Sequence, residues 1–112
     1  MSIYKILRAD EWAALRKSRT TDGAPVDLAD GYVHFSAEDQ VRETAAKHFA
    51  GEEGLMLLAV DELRLGEALR WEPSRGGDLF PHLYGPLLLE AVEWAQPLPW
   101  DGTAHRFPEG FA

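Results

Sequence analysis

Three short stretches of the chain hold residue types suited to acid–base chemistry or to gripping a polar ligand: Tyr32-Val33-His34-Phe35-Ser36, Leu69-Arg70-Trp71-Glu72 and Phe80-Pro81-His82-Leu83-Tyr84-Gly85. Side chains alternate between the faces of an extended strand. That alternation groups Tyr32, His34 and Ser36 against Val33 and Phe35, groups Arg70 and Glu72 against Leu69 and Trp71, and sets His82 beside Tyr84. If the stretches are neighbouring strands, two histidines, two tyrosines, an arginine, a glutamate and a serine form one wall of a cleft, with Val33, Phe35, Leu69 and Trp71 facing the core. Titratable and hydrogen-bonding groups concentrated in this way mark a ligand cleft more often than a solvated surface.

Each residue also has a simpler reading. Ser36 lies where a helix N-cap would, three residues before Asp39. Arg70 and Glu72 suit a surface ion pair as well as a phosphate or carboxylate clamp, for which the planar guanidinium is the better-shaped cation. Glu90 is a second candidate carboxylate and equally an exposed strand residue. Arg75 lies in Ser74-Arg75-Gly76-Gly77-Asp78, which reads as a turn because it lacks the glycine and lysine spacing of a phosphate loop. His34, His82 and a carboxylate could together suit zinc or iron, but their spacing matches no known ligand pattern. Trp12, Trp71 and Trp94 read as core.

The rest of the chain bounds these options. One globular unit, 1–112, accounts for 112 residues that are 46% hydrophobic, with 105–112 as a tail that need not be ordered. The net charge of −8 is concentrated in residues 51–112 and opposes broad binding to nucleic-acid backbones, although Arg70 and Arg75 leave room for a small phosphate ligand. With no cysteine there is neither a thiol nucleophile nor a cysteine-type zinc site. The N-terminal residues lack the apolar stretch of a secretory signal and no run is long enough to cross a bilayer, so a cytoplasmic location is expected.

Ile3 to Leu7 reads as a strand, followed by a short helix capped by Asp10. Ser18 to Gly31 shows no periodicity and reads as a surface loop bordering the cleft. Ser36 opens a helix running from Val41 to Gly51. The unbroken apolar run Leu55 to Val60 is a central strand buried on both faces. Pro81 and Pro86 make the third stretch short or place it at a sheet edge, and Leu87 to Trp94 is a last long strand. Helices early and strands late make an α+β domain.

The segments Asp30 to Ser36, Leu69 to Pro73 and Phe80 to Leu87 resemble the signature of a mostly bacterial family catalogued as domain of unknown function 952. The resemblance spans nearly the whole chain and implies an ADP-ribosyltransferase-like fold, a split, mainly antiparallel β core with an inserted helix. Proteins of that wider group bind NAD between half-sheets. By that likeness NAD is a candidate substrate and no other cofactor is implied. His34 and Ser36 would hold a ribose, Arg70 and Arg75 would meet phosphates, Tyr84 would stack on nicotinamide, and Glu72 or Glu90 would steady an oxocarbenium-like transition state, with Tyr32 and His82 completing the wall. Neither glutamate reproduces the usual order and spacing, which leaves a non-catalytic binding module as the competing expectation.

Overall fold

A strand with apolar residues on both of its faces can serve two interiors at once, and the first strand does so. The computed structural model describes residues 1–111, apart from the side chain of Arg75. In chain order the elements are β1 (Ser2–Leu7), α1 (Ala9–Ser18), β2 (Thr20–Thr21), α2 (Pro25–Asp30), β3 (Val33–His34), α3 (Val41–His48), β4 (Leu55–Asp61), β5 (Leu69–Pro73), β6 (Leu79–Leu83), β7 (Leu87–Leu88) and β8 (Val92–Leu98). Helices thus precede most of the strands, and the sheets are antiparallel: β1-β4-β8, β3-β6-β5 and the small pair β2-β7. The protein is a mixed α and β structure of mainly antiparallel sheets, and among the described residues no helix is long and apolar enough to cross a membrane.

The central position of β4 follows from its composition, since a strand buried on both faces needs apolar residues at every position. Leu58 and Val60 join Ile3, Leu7, Leu15, Val33, Phe35, Leu83 and Leu87 in one core, whereas Leu55, Leu57 and Ala59 join Tyr4, Ile6, Val41, Ala45 and Leu98 in the other. The first core lies between the sheets β1-β4-β8 and β3-β6-β5. The second lies beneath α3 and the C-terminal segment, where Phe107 and Phe111 pack and His105 is buried.

Several elements differ from the sequence reading. Ser18 to Gly31 is not an irregular loop: it contains β2 and α2, the latter starting at Pro25 and ending at Gly31, whose φ of 87° satisfies the left-handed cap. The helix α1 is capped at Arg8 rather than Asp10, and the Glu11 carboxylate accepts the Arg8 backbone N–H at 2.8 Å. Ser36 does not cap α3. Its backbone N–H and carbonyl both bond to Tyr4, which holds it extended beside β1, and its hydroxyl lies 2.8 Å from that of Thr44.

Pro81 lies in β6, the middle strand of its sheet, not at an edge. In an antiparallel strand a residue's N–H and C=O point to the same side. The Pro81 carbonyl accepts from Phe35 N–H at 3.0 Å, so its missing donor faces the place where the β3 ladder has already ended. Leu87 to Trp94 is broken by a 3₁₀ turn at Leu89–Ala91 into β7 and β8. Trp71, on edge strand β5 opposite Pro81, is 37% exposed and is not a core residue.

Because β4 carries both cores, truncation there is expected to be costly. Leu58→Ala, at a fully buried position, should lower the unfolding free energy by about 2–5 kcal/mol. Leu63→Ala, at an exposed position, should change it by less than about 0.5 kcal/mol. Urea titrations of the two variants check the contrast.

Candidate functional site

Register in the sheet β3-β6-β5 brings the chemistry together. Val33, Leu83 and Leu69 pair across the three strands in one row, and His34, His82 and Arg70 pair in the next. Directly paired residues share a face, so the row of Val33 closes the core while the row of His34 is turned away from it. Tyr32, Tyr84 and Glu72 have the parity of the histidines and lie on the same face. The ring of Tyr32 sits 4.2 Å from that of His82, 4.5 Å from that of His34 and 5.2 Å from that of Tyr84, and the two imidazoles are 5.6 Å apart.

Each histidine is held by a different carboxylate system. Glu72 Oε1 accepts from His82 Nδ1 at 2.8 Å and from the Tyr84 hydroxyl at 2.7 Å. A carboxylate only accepts, so Nδ1 carries the proton, and Nε2 of His82 makes no hydrogen bond among the described residues. The Tyr84 bond, followed by that of His82, lowers the Glu72 pKa, and the same bond raises that of Tyr84. Burial, with Asp30 and Glu72 nearby, raises the Tyr32 phenol.

His34 is clamped at both nitrogens, with Nδ1 2.5 Å from Asp27 Oδ1 and Nε2 3.0 Å from Asp30 Oδ2. Only the imidazolium donates at both positions at once. Asp27 is itself almost fully buried and also accepts from Lys5 Nζ at 2.8 Å, Ala24 N–H at 2.7 Å and His34 N–H at 3.0 Å. Burial pushes its pKa up, but the His34 bond and the Lys5 charge outweigh that and hold it at about 2. Burial lowers Lys5, against the opposing pull of Asp27. Gly23 makes this packing feasible: its φ is +107°, and a Cβ there would meet Asp27 side-chain atoms at 2.4 Å.

Tyr32, His34, Arg70, Glu72, His82 and Tyr84 therefore share one face. The guanidinium of Arg70 lies 5.7 Å from the centre of the Tyr84 ring, and among the described residues it makes no salt bridge. Ser36 lies apart, turned toward Thr44. Glu90 is exposed in the turn before β8, where its backbone carbonyl accepts from Arg64, and no hydrogen bond joins it to the histidines. Arg75 opens the turn Arg75–Gly77, and its side chain lies outside the described residues. Two cavities, of about 300 and 270 Å³, are lined by other residues. No group of three potential metal-ligating side chains converges among the described residues.

The motif stretches give no notice of Lys5 and Asp27, and Asp30 enters only at the edge of the signature segment. The available signals are a lysine at an inward position of an alternating strand, and a proline and a glycine six residues apart bracketing Asp27 and Asp30.

A family model described as "Protein of unknown function (DUF952)" matches residues 6–95. The crystal structure of protein CC0527 from Caulobacter crescentus is similar with a TM-score of 0.91 and 48% identity, covering 95% of this chain and 94% of that one. The solution structure of the same protein gives a TM-score of 0.83 and 50% identity over 93% and 90% of the two chains. No curated protein matches the chain.

The charge state of Asp27 should be visible in acid unfolding. Its folded pKa of about 2 lies below the ordinary value of 3.8, so its stabilisation is fully present above the unfolded value and is lost as pH falls through the folded one. At about 1.4 kcal/mol per unit the contribution is about 2 kcal/mol. Asp27→Asn should cost about 3–5 kcal/mol near neutrality, because it strands the buried Lys5 ammonium. Its deficit relative to wild type should shrink below about pH 4. Denaturant unfolding across the acid range tests this, and a constant deficit would show that the Asp27 charge is not the source.

Proposed function

The chain belongs to the DUF952 family of proteins of unknown function, and on that premise we propose that the face formed by Tyr32, His34, Arg70, Glu72, His82 and Tyr84 binds a nucleotide, with NAD as the candidate substrate of an ADP-ribosyl transfer. The observation that carries this reading is the contrast between the imidazoles 5.6 Å apart on one wall: His34 donating at both nitrogens, and His82 held through Nδ1 while Nε2 makes no hydrogen bond among the described residues. The ADP-ribosyltransferase-like grouping enters through the family resemblance.

In this reading Arg70 meets the phosphates, since its guanidinium makes no salt bridge among the described residues. The half-exposed Tyr84 ring offers a stacking surface for a base or nicotinamide. Breaking the bond between ribose and nicotinamide leaves positive charge on the sugar while nicotinamide departs neutral. The Glu72 carboxylate steadies that charge, and His82 Nε2 takes the proton from the acceptor as its oxygen or nitrogen bonds to the ribose carbon. A phosphoryl transfer would use the same arginine, with His82 Nε2 taking the proton from the attacking group.

A second reading, a non-catalytic nucleotide-binding module, is favoured by one feature. Glu72 is already committed to His82 and Tyr84, and Glu90 lies away from the face. Calorimetric titration with NAD, ADP-ribose and AMP, followed by assay of nicotinamide release, separates the possibilities. NAD and ADP-ribose are expected to bind, and Arg70→Ala, at an exposed position, should weaken them roughly tenfold, the worth of about 1.4 kcal/mol. Binding without turnover selects the module; no heat with any of the three at about millimolar concentration overturns the nucleotide reading.

A further inference from the structure

The opposite face of β1 borders a second site of different chemistry. A cavity of about 270 Å³ is lined by the rings of Tyr4, Trp94 and Phe111 and by Glu38, Glu109 and Gln96. The rings are mutually inclined: Tyr4 and Trp94 are 6.1 Å apart at 53°, and Tyr4 and Phe111 5.0 Å apart at 77°. Tyr4 is buried and forms the base, whereas the two glutamates are exposed at the rim. No lysine or arginine lines the cavity, and neither Glu38 nor Glu109 forms a salt bridge among the described residues.

We propose that this cavity is a binding site for a small organic cation of the methylated ammonium type. Aromatic rings present negative faces to a cation, and the attraction is greatest when the cation is easily desolvated. A trimethylammonium group spreads its charge over methyl groups and gives up water more readily than a primary ammonium, and its size suits the cavity. The rim carboxylates add long-range attraction and repel anions. An uncharged apolar ligand would gain from the rings but not from the glutamates. The Tyr4 phenol is raised by burial and then by Glu38 and Glu93, which agrees with a negative potential at this end of the strand.

The test compares choline with its neutral carbon isostere, in which carbon replaces the quaternary nitrogen. Calorimetry and the NMR shift of the Trp94 indole N–H report binding. Choline is expected to saturate at millimolar concentration, with the isostere roughly tenfold weaker or more. The doubly substituted Glu38→Gln, Glu109→Gln protein should keep its fold, since both positions are exposed, and should bind choline several-fold more weakly. Arg70→Ala should bind it unchanged, which keeps this site distinct from the nucleotide face. Trp94→Ala should abolish binding; should it not fold, the glutamate pair and the isostere still decide. Equal binding of choline and isostere, or no saturation by choline to about 50 mM, overturns the proposal.

Discussion

Asp27 is the point on which the arrangement of the candidate face depends. Its two carboxylate oxygens accept from Lys5 Nζ, Ala24 N–H, His34 N–H and His34 Nδ1, four donors drawn from β1, the start of α2 and β3. A carboxylate removed from water loses solvation worth several kcal/mol, which is recovered only when its lone pairs are filled with good geometry. Here they are filled. The consequence is mutual dependence: Lys5 is tolerated inside because Asp27 is ionised, and Asp27 stays ionised because Lys5 and His34 face it. The short helix α2, only six residues long and unable to persist alone, owes its position to this interaction and to the absence of a side chain at Gly23.

The other histidine obeys a separate logic. His82 is almost fully buried in the middle strand, covered by Tyr32, with Glu72 reaching it diagonally from the edge strand β5. The Tyr84 hydroxyl shares the same carboxylate oxygen, so a movement of the tyrosine ring alters the orientation of the imidazole through Glu72. Arg70 over the Tyr84 ring extends the chain of contacts to solvent. A ligand that engaged Arg70 or Tyr84 would therefore touch the outer end of a network whose inner end is the His82 ring, whereas His34 answers to a different network anchored in β1.

The three motif stretches were legible because a period of two is a strong constraint: once Val33, Leu83 and Leu69 must face the core, His34, His82 and Arg70 have nowhere to point but out. The run Leu55 to Val60 was legible for a different reason: a strand buried on both faces needs apolar residues at every position. Lys5 and Asp27 were not, because their pairing spans 22 residues that no local pattern encodes, and Asp30 matters only through its contact with His34, four residues on. Ser36 has the composition of a cap, and it was the tertiary pairing with Tyr4 that overrode the propensity. Trp71 shows the converse failure. Hydrophobicity predicts a core position, but β5 is the edge strand of its sheet, and there the indole stays 37% exposed.

The alternation of β1 also links the two sites the structure offers. Tyr4 and Lys5 are adjacent, so they emerge on opposite faces: the ring forms the floor of the aromatic cavity while the ammonium seals the buried pair behind His34. Both neighbours are held in register by pairing with Ala59 and Leu58 on the central strand, and Tyr4 by two further backbone bonds to Ser36. A rotation or slip of β1 would exchange the faces of every residue along it, placing a phenol against Asp27 and an ammonium among aromatic rings. Such a state leaves the Asp27 carboxylate buried without its cation, at a cost of several kcal/mol. The ion pair therefore does more than position His34. It fixes the register of the strand, and through the register it fixes the aromatic cavity on the other side of the sheet.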